Sequence, residues 1–322
     1  MIDNININEK ELFEKNPHVL ELLLLDNTTK KNIIWATDSY KNRGYYFNDH
    51  ITIQNIIGKS FITPRSKKAK AEREKRSKDN AEVFTPSWMC NKQNNLIDEA
   101  WFGRKNVFNE EKDTIWVRND SKISFANNKT WKDYIADIRL EISCGEAPYL
   151  ASRYDTVSGE PIALKNRIGL LDRKFRIINE NASTDEEWIE YSLLALKSIY
   201  GYEWQGDNLL LARENILFTY IDYFCNRFNK EPDSELLIKV SEIISWNLFQ
   251  MDGIKCVIPN SCKTERLIQC NLFGEEEVIE TGCDGCLKNN VHAHNGIYVK
   301  IMDWEKGKPI KFESLIRGGF FL

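Results

Sequence analysis

The run from Ile138 to Leu150 constrains the fold of this chain more than any other stretch. Ile138, Leu140 and Ile142 alternate with charged residues, and such alternation predicts a β-strand. The small residues of Ser143–Gly145 follow, and they permit a tight backbone turn at the carboxyl end of the strand. Ligands bind at that end of the strands in open α/β sheets, so the turn is a candidate ligand site. An ordinary loop is the alternative.

A second strand pattern ends in an acidic residue. Ser183 or Thr184 can cap a helix that leads into the segment Ile199–Trp204. Glu203 then lies where a carboxylate can bind both hydroxyls of a ribose, and Trp204 offers an aromatic face to a base. The alternatives are a solvent-facing carboxylate and a core aromatic. Helical patterns follow over residues 207–229 and 232–250.

Three motifs occur in a characteristic order: Ala81-Glu-Val-Phe-Thr-Pro-Ser-Trp88, the Leu140-Glu-Ile-Ser-Cys-Gly145 turn, and Ile199–Asp207. Together they resemble the S-adenosylmethionine (SAM) pocket of bacterial N6-adenine DNA methyltransferases, the modification subunits of restriction systems. The resemblance covers residues 81–255, and Lys31–Asp38 is similar to the N-terminal part of the same group. The chain departs from the family at Ile142 and Ala147–Pro148, where a proline and a second glycine are more usual.

The resemblance implies a Rossmann-like, SAM-dependent methyltransferase sheet in an α/β fold. It implies that cofactor contacts come from Phe84, Thr85, Pro86, Glu141, Ser143, Gly145, Glu203, Trp204 and Asp252, with Glu146 close by. The Phe-Thr-Pro segment would line the methionine end of SAM, and Asp252 would accept a hydrogen bond from the adenine amino group. Asp252–Gly253 is also compatible with a simple turn.

The family's catalytic motif is missing from the sequence. These enzymes hold the adenine amine and stack on the flipped base with an Asp/Asn-Pro-Pro-aromatic motif. The chain has eight prolines, and no two of them are adjacent. We therefore expect weak methyl transfer, or none, from this chain alone.

The segment from Pro64 to Asp79 is strongly basic, with eight Lys and Arg residues against three acidic ones. It has almost no apolar residues, which predicts a solvated helix or a linker. Because it leads into the predicted pocket, we expect Arg65 to Lys78 to contact DNA phosphates, with a merely solvated face as the alternative. Such contacts set affinity and not sequence preference.

The cysteines cluster towards the C-terminus and include Cys283-Asp-Gly-Cys286, followed by His292 and His294. Two thiolates and two further ligands suit tetrahedral zinc. We expect Cys283 and Cys286 to bind zinc together with two ligands from Cys270, His292, His294 and Cys262. A redox-active pair is the alternative, disfavoured because no thioredoxin-like unit surrounds it.

Composition limits the remaining choices. The 42% of hydrophobic residues suffice for a core, and the net charge of -4 argues against a protein coated in positive potential. No run of eighteen apolar residues and no signal-peptide pattern occurs, so we expect a cytoplasmic protein without membrane contact. The predicted organisation is an N-terminal helical and basic extension (1–80), a SAM-binding methyltransferase-like domain (81–255) and a small zinc module (256–322).

The sequence thus predicts a SAM-binding, DNA adenine-N6 methyltransferase-like protein of a restriction-modification or phage-defence system. It is predicted to need a partner, for which a second methyltransferase or a specificity subunit is a candidate. Two alternatives stay open. One is a catalytically inactive pseudo-methyltransferase that binds DNA or a partner, and the other is a zinc-stabilised nucleic-acid-binding protein without cofactor.

Overall fold

The structure, a computed structural model, describes residues 9–59, 62–80, 82–126, 128–270 and 276–316, with side chains for all of these except Asn80 and residues 265–280. The α-helices are α1 (Glu9–Lys15), α2 (Pro17–Leu24), α3 (Ile53–Ile56), α4 (Lys70–Asn80), α5 (Ser87–Phe102), α6 (Trp131–Ala136), α7 (Leu170–Asn181), α8 (Asp185–Lys197), α9 (Gly206–Phe228), α10 (Ser234–Asn247) and α11 (Asp284–Lys288). The β-strands are β1 (Leu25–Asp26), β2 (Lys31–Asn32), β3 (Asn109–Lys112), β4 (Ile115–Arg118), β5 (Arg139–Ile142), β6 (Ile199–Glu203), β7 (Leu248–Gln250), β8 (Glu265–Cys270), β9 (Glu276–Thr281), β10 (Lys300–Asp303) and β11 (Lys308–Lys311).

The functional centre of the fold is a parallel sheet of three strands in the order β5-β6-β7. Leu140 pairs with Tyr200 across the first strand pair, and Tyr202 pairs with Phe249 across the second. Helices α7 and α8 connect β5 to β6, and α9 and α10 connect β6 to β7. The other described sheets are two-stranded and antiparallel. The predicted α/β class is therefore confirmed at the level of a mixed α/β protein with a small parallel sheet.

Two hydrophobic clusters stabilise the described chain. The larger one joins side chains of the N-terminal segment, such as Val19 and Trp35, to buried residues of α7–α10. The smaller one lies where Tyr202 and Phe249, on β6 and β7, meet Val299 and Phe312 of the C-terminal segment. The N-terminal segment thus shares one core with the central sheet and its helices.

Strand β5 buries the face that its sequence pattern would leave in solvent. Ile138 is 67% exposed and Ile142 is 62% exposed, whereas Glu141 is only 8% exposed. The buried Glu141 carboxylate accepts hydrogen bonds from the backbone N–H groups of Tyr149 and Leu150, which compensates its loss of water. On its outer side β5 pairs with no other strand in the described part of the chain.

Several local predictions can be compared with the structure. Thr184 caps α8 by accepting a hydrogen bond from the Glu187 backbone N–H, as expected. Pro86 occupies the N-cap position of α5, and Ser87 is the first helical residue. The helix predicted for 232–250 ends at Asn247, where β7 begins.

Within the described residues, the segment 32–37 forms strand pairs in β2 and in an isolated bridge between Ile34 and His50. No helix of the described residues is long and apolar enough to cross a membrane.

Candidate functional site

A cavity of about 840 Å³ lies at the carboxyl ends of β5 and β6, and we call it the strand-end cavity. Seven of the nine residues predicted to contact a cofactor line it: Phe84, Thr85, Glu141, Ser143, Gly145, Glu203 and Trp204. They come from three separated segments of the sequence, which the parallel sheet brings together. The cavity lies within the size range of small-molecule sites, which is roughly 300–1,000 Å³.

Glu203 and the turn after β5 meet directly. The Glu203 Oε2 atom accepts a hydrogen bond of 2.9 Å from the Gly145 backbone N–H, and Oε1 accepts one of 3.1 Å from the Gln205 N–H. Gly145 has a φ of 53°, a left-handed conformation that favours glycine. The turn therefore presents its backbone to the carboxylate at the end of the neighbouring strand.

The environment of Glu203 favours its protonated form. Burial raises the pKa of this carboxyl from 4.5 to about 7, against the lowering effect of the hydrogen bonds from Gln205 and Gly145. Burial likewise raises the pKa of Glu141, although the N–H groups of Tyr149 and Leu150 lower it. The cavity thus holds two buried acids that a cationic ligand would help to ionise.

The aromatic lining is held from outside the sheet. The Trp204 Nε1–H group donates a hydrogen bond of 3.1 Å to the Ala36 carbonyl oxygen, so the N-terminal segment fixes the orientation of the ring. Phe84 packs below the Arg65 guanidinium, 5.2 Å from the centre of its ring. Thr85 is anchored by its carbonyl oxygen, which accepts a hydrogen bond from the Thr156 hydroxyl.

Two of the nine predicted contacts do not line the cavity. Pro86 serves as the N-cap residue of α5. Asp252 closes a turn instead, because its Oδ1 atom accepts hydrogen bonds from the backbone N–H groups of Ile254 and Lys255. Glu146, expected nearby, is fully buried and accepts hydrogen bonds from the Arg65 N–H and the Tyr154 hydroxyl.

Other lining residues escaped the sequence analysis. Asp38, Asp79 and Glu82 add three acidic side chains to the cavity, and Gln205 and Asn208 add two amides. Among the described lining residues five are acidic and Lys78 is basic. Glu82 and Gln205 belong to the Ala81–Trp88 and Ile199–Asp207 motifs, but the sequence provides no reason to single them out as contacts. Asp38, Asp79 and Asn208 reach the cavity only through the tertiary structure.

A buried ionic network lies behind the cavity. The Arg76 guanidinium contacts Glu82 at 2.6 Å and Asp207 at 2.9 Å, and its side chain is 1% exposed. Burial would raise the pKa of Asp207, but Arg76 and Lys68 lower it to about 2. The prediction that the segment from Pro64 to Asp79 is solvated throughout is thus wrong for Lys68 and Arg76. These two cations are buried because they compensate buried carboxylates.

Four residues of the C-terminal segment form a compact cluster: Cys262, Cys283, Cys286 and His294. Their ligand atoms all lie within 4.8 Å of one another. The His294 Nδ1 atom lies 3.6 Å from the Cys262 sulfur, 3.5 Å from the Cys283 sulfur and 3.6 Å from the Cys286 sulfur. The cluster could hold a metal ion such as zinc.

The cluster is one of the predicted combinations, Cys283 and Cys286 with two of the four candidates for the remaining ligands. It contains Cys283, Cys286 and His294, and it takes Cys262 as the fourth member. His292 lies elsewhere, because its Nδ1 atom contacts the Glu313 carboxylate. The side chain of Cys270 lies outside the described residues.

The geometry of the cluster fits tetrahedral zinc. With Zn–S bonds of about 2.3 Å and a Zn–N bond of about 2.1 Å, a tetrahedral site places sulfur and nitrogen about 3.6 Å apart. The three Nδ1–sulfur distances agree with this value. The Asn295 backbone N–H also points at the Cys283 sulfur from 3.2 Å, a contact that favours thiolate.

Tyr298 holds the histidine in place. Its hydroxyl oxygen accepts a hydrogen bond of 2.8 Å from the His294 backbone N–H and donates one of 2.8 Å to the Val291 carbonyl oxygen. The Gly285 N–H of α11 donates to the Ala293 carbonyl oxygen, which joins the segment that carries Cys283 and Cys286 to the one that carries His294. Backbone and tyrosine hydrogen bonds therefore hold the two parts of the cluster together.

Comparison with known proteins adds no relative to this description: no family model matches the chain, and no curated protein or solved structure matches it either.

Proposed function

We propose that this chain binds SAM in the strand-end cavity and is a DNA adenine-N6 methyltransferase-like protein with a Rossmann-like sheet. The observation that carries the proposal is the meeting of Phe84, Gly145 and Glu203 at one cavity. Their motifs were singled out from the sequence for their likeness to methyltransferase cofactor motifs. In open α/β sheets a ligand binds at this end of the strands.

The lining chemistry supports a cationic ligand. SAM carries a sulfonium and an ammonium group against one carboxylate, whereas nucleoside phosphates are anionic. With Glu141 and Glu203 protonated, Asp38, Asp79 and Glu82 still outnumber Lys78 in the cavity lining, a balance that attracts SAM and repels phosphates. Glu82 Oε1 lies 3.9 Å from the Arg65 Nε atom and has no hydrogen-bond partner among the described residues, so it offers a buried acceptor for a hydrogen bond from the ligand.

The predicted ribose and adenine-ring contacts have groups in the cavity, whereas the acceptor predicted for the adenine amino group, Asp252, lies outside it. The ionised Glu203 carboxylate would accept hydrogen bonds from the ribose hydroxyls, and Trp204 would cover the adenine. When bound, SAM would supply an activated methyl group. The residues of this chain would orient the cofactor and exclude water from it.

DNA is the proposed substrate or partner because a basic groove adjoins the cavity. This groove is lined by Arg65, Lys70, Arg73, Glu74, Ser77 and Lys78. Lys78 lines both the groove and the strand-end cavity, so a phosphate backbone in the groove would pass the cavity mouth.

A partner is part of the proposal, because the sequence lacks the Pro-Pro-aromatic clamp that would hold a flipped base. A second methyltransferase or a specificity subunit would supply it. Strand β5 has an unpaired outer edge in the described chain and carries exposed Leu140 and Ile142, with exposed Ile138 directly before it. A β-strand of the partner with alternating apolar residues would suit this edge.

The Cys/His cluster favours a second candidate function. A zinc-stabilised nucleic-acid-binding protein without cofactor would use the same cluster and the same basic groove. SAM binding distinguishes the two, because this candidate predicts none. A pseudo-methyltransferase would bind SAM and would transfer no methyl group in any assembly.

The first experiment measures SAM binding by isothermal titration calorimetry. We expect SAM to bind and ATP to bind far more weakly, and we expect Glu203→Ala to weaken SAM by about 1–3 kcal/mol through loss of a charged acceptor. Asp252→Asn is the matched control, since this acid is near β7 and outside the cavity, and asparagine retains the turn acceptor. Unchanged SAM affinity in Glu203→Ala would refute the site.

The second experiment tests the chemistry. Purified chain, labelled SAM and DNA of mixed sequence should give little or no methyl transfer to adenine, whereas the native complex purified with its partner should transfer. Robust transfer by the chain alone would mean that another segment performs the role of the missing clamp. Absence of transfer in every assembly, with SAM bound, would favour the pseudo-methyltransferase.

A further inference from the structure

A second cavity, of about 410 Å³, is formed by the β3–β4 hairpin, the loop of residues 163–168 and helices α7 and α9. We call it the hairpin cavity. Seven charged residues line it. Five are basic (Arg118, Lys165, Arg167, Arg173 and Arg176) and two are acidic (Asp172 and Glu180). All four arginines form ion pairs, with Asp120, Asp222, Asp98 and Glu180, so the lining cation without an ion pair in the described part of the chain is Lys165, and it favours an anionic group on the ligand.

Two of these arginines are fully engaged in the fold. Arg173 donates hydrogen bonds to Asp98, Asn91, Asn95 and the Ile168 carbonyl oxygen. Arg176 donates to Glu180 and to the carbonyl oxygens of Phe108, Asn119 and Ser121. Their guanidinium nitrogens are used within the protein and their charges are offset by Asp98 and Glu180, so neither is a ligand-binding group of the cavity.

Arg167 and Asp172 differ from them. The Arg167 side chain is 9% exposed and donates from Nη2 to Asp222 at 2.6 Å, but its Nη1 atom has no partner among the described residues. Asp172 is 1% exposed and receives three hydrogen bonds at Oδ2, but its Oδ1 atom has no partner either. Both side chains line the hairpin cavity. A buried donor and a buried acceptor without partners are costly unless a ligand or water satisfies them.

The rim of the cavity adds an aromatic ring and a free cation. The Trp116 Nε1–H group donates a hydrogen bond of 2.9 Å to the Asn166 carbonyl oxygen, which fixes the indole on the hairpin. The exposed Lys165 forms no ion pair within the part of the chain that the structure describes.

We propose that the hairpin cavity binds a nucleoside monophosphate, independently of the strand-end cavity. A nucleobase edge carries a hydrogen-bond donor next to an acceptor. The donor can bind Asp172 Oδ1, and the acceptor can bind Arg167 Nη1. The base packs against Trp116, and the phosphate binds Lys165. A cavity of this size accommodates a mononucleotide.

The test is a calorimetric titration of the full chain with AMP. Saturating SAM is present so that it occupies the strand-end cavity and AMP or adenosine cannot bind there. AMP should bind, and adenosine or inorganic phosphate alone should bind more weakly. Hydrogen–deuterium exchange should show AMP-dependent protection of residues 109–118 and 163–180. If SAM does not bind at all, this protection still identifies the site, so the two proposals fail separately.

Two exposed lysines provide matched variants. Lys165→Glu should weaken AMP several-fold, and Lys239→Glu on α10 should leave AMP affinity unchanged. Neither side chain is buried, so both variants should fold, which thermal unfolding checks. The proposal is overturned by the absence of AMP binding at millimolar concentration, by wild-type affinity in Lys165→Glu, or by protection confined to the strand-end cavity.

Discussion

The Glu203 carboxylate accepts a hydrogen bond of 2.9 Å from the backbone N–H of Gly145, 58 residues earlier in the chain. This bond joins the ends of two parallel strands and places a buried acid at the edge of a cavity. It also depends on the left-handed conformation of Gly145, since the turn after β5 must present its N–H towards β6. Glycine and acid therefore form one structural unit.

The stability of the protein should depend on pH through Glu203. Its pKa is raised from 4.5 to about 7 on folding, so between these values the folded state holds a proton that the unfolded state has lost. This contribution is complete below pH 4.5 and is lost as the pH rises through 7. From pH 4 to pH 8 the wild type should lose up to about 3 kcal/mol relative to Glu203→Gln.

Urea unfolding of both proteins across this pH range measures the effect. Comparison with Glu203→Gln isolates the residue, because other buried acids are common to both proteins. Parallel stability profiles for wild type and variant would contradict the raised pKa.

The buried position of Arg76 predicts a large difference between two neighbouring basic residues. Arg76→Ala would leave Asp207 and Glu82 as buried charges without their main partner. We expect a loss of about 3–5 kcal/mol in the free energy of unfolding. Lys75→Ala changes an exposed side chain on the same helix and should cost less than about 0.5 kcal/mol. Denaturant titration measures both, and similar losses would argue against the network.

The segment from Pro64 to Asp79 contains one feature that the sequence predicts, its helix, and one that it does not, the burial of Arg76. Composition alone predicts a solvated helix, and α4 is indeed a helix with mostly exposed lysines. Burial of Arg76 depends on Asp207, which is more than a hundred residues away in the chain. Such a pairing has no local signal, so it could not be predicted from the sequence.

In both candidate sites the sequence predicted some of the residues, and the others could be identified only from the tertiary structure. The cysteine spacing predicted Cys283 and Cys286, because the N-cap and the first turn of α11 bring the two sulfurs together, but choosing among Cys262, His292 and His294 needed the tertiary structure. In the strand-end cavity, the ends of β5 and β6 carry strong local patterns. Asp252 also fits a pattern, yet the turn formed by Ile254 and Lys255 uses its carboxylate and keeps it out of the cavity.

Gly282 and Gly285, on either side of Cys283, should differ in how substitution by alanine affects zinc binding. A Cβ atom on Gly285 would lie 2.6 Å from the His294 Nδ1 atom, whereas one on Gly282 would meet Leu287 at an ordinary 3.5 Å. Gly285→Ala should therefore displace the histidine and lower the zinc content of the purified protein. Gly282→Ala should retain about one zinc per chain. Metal analysis by mass spectrometry measures both, and zinc absent from the wild type would refute the site.

DNA binding through the basic groove should appear as a change in salt dependence at Lys78. A lysine that contacts a phosphate releases counterions, so its removal lowers the slope of log Kd against log salt concentration by about 0.9. Lys78 is exposed and lines the groove, whereas the exposed Lys239 lies on α10, away from it. We therefore expect Lys78→Ala to weaken binding to duplexes of any sequence and to lower the slope, and Lys239→Ala to change neither. Fluorescence anisotropy with two unrelated duplexes measures both quantities. Equal slopes for the two variants and the wild type would remove α4 from the DNA interface.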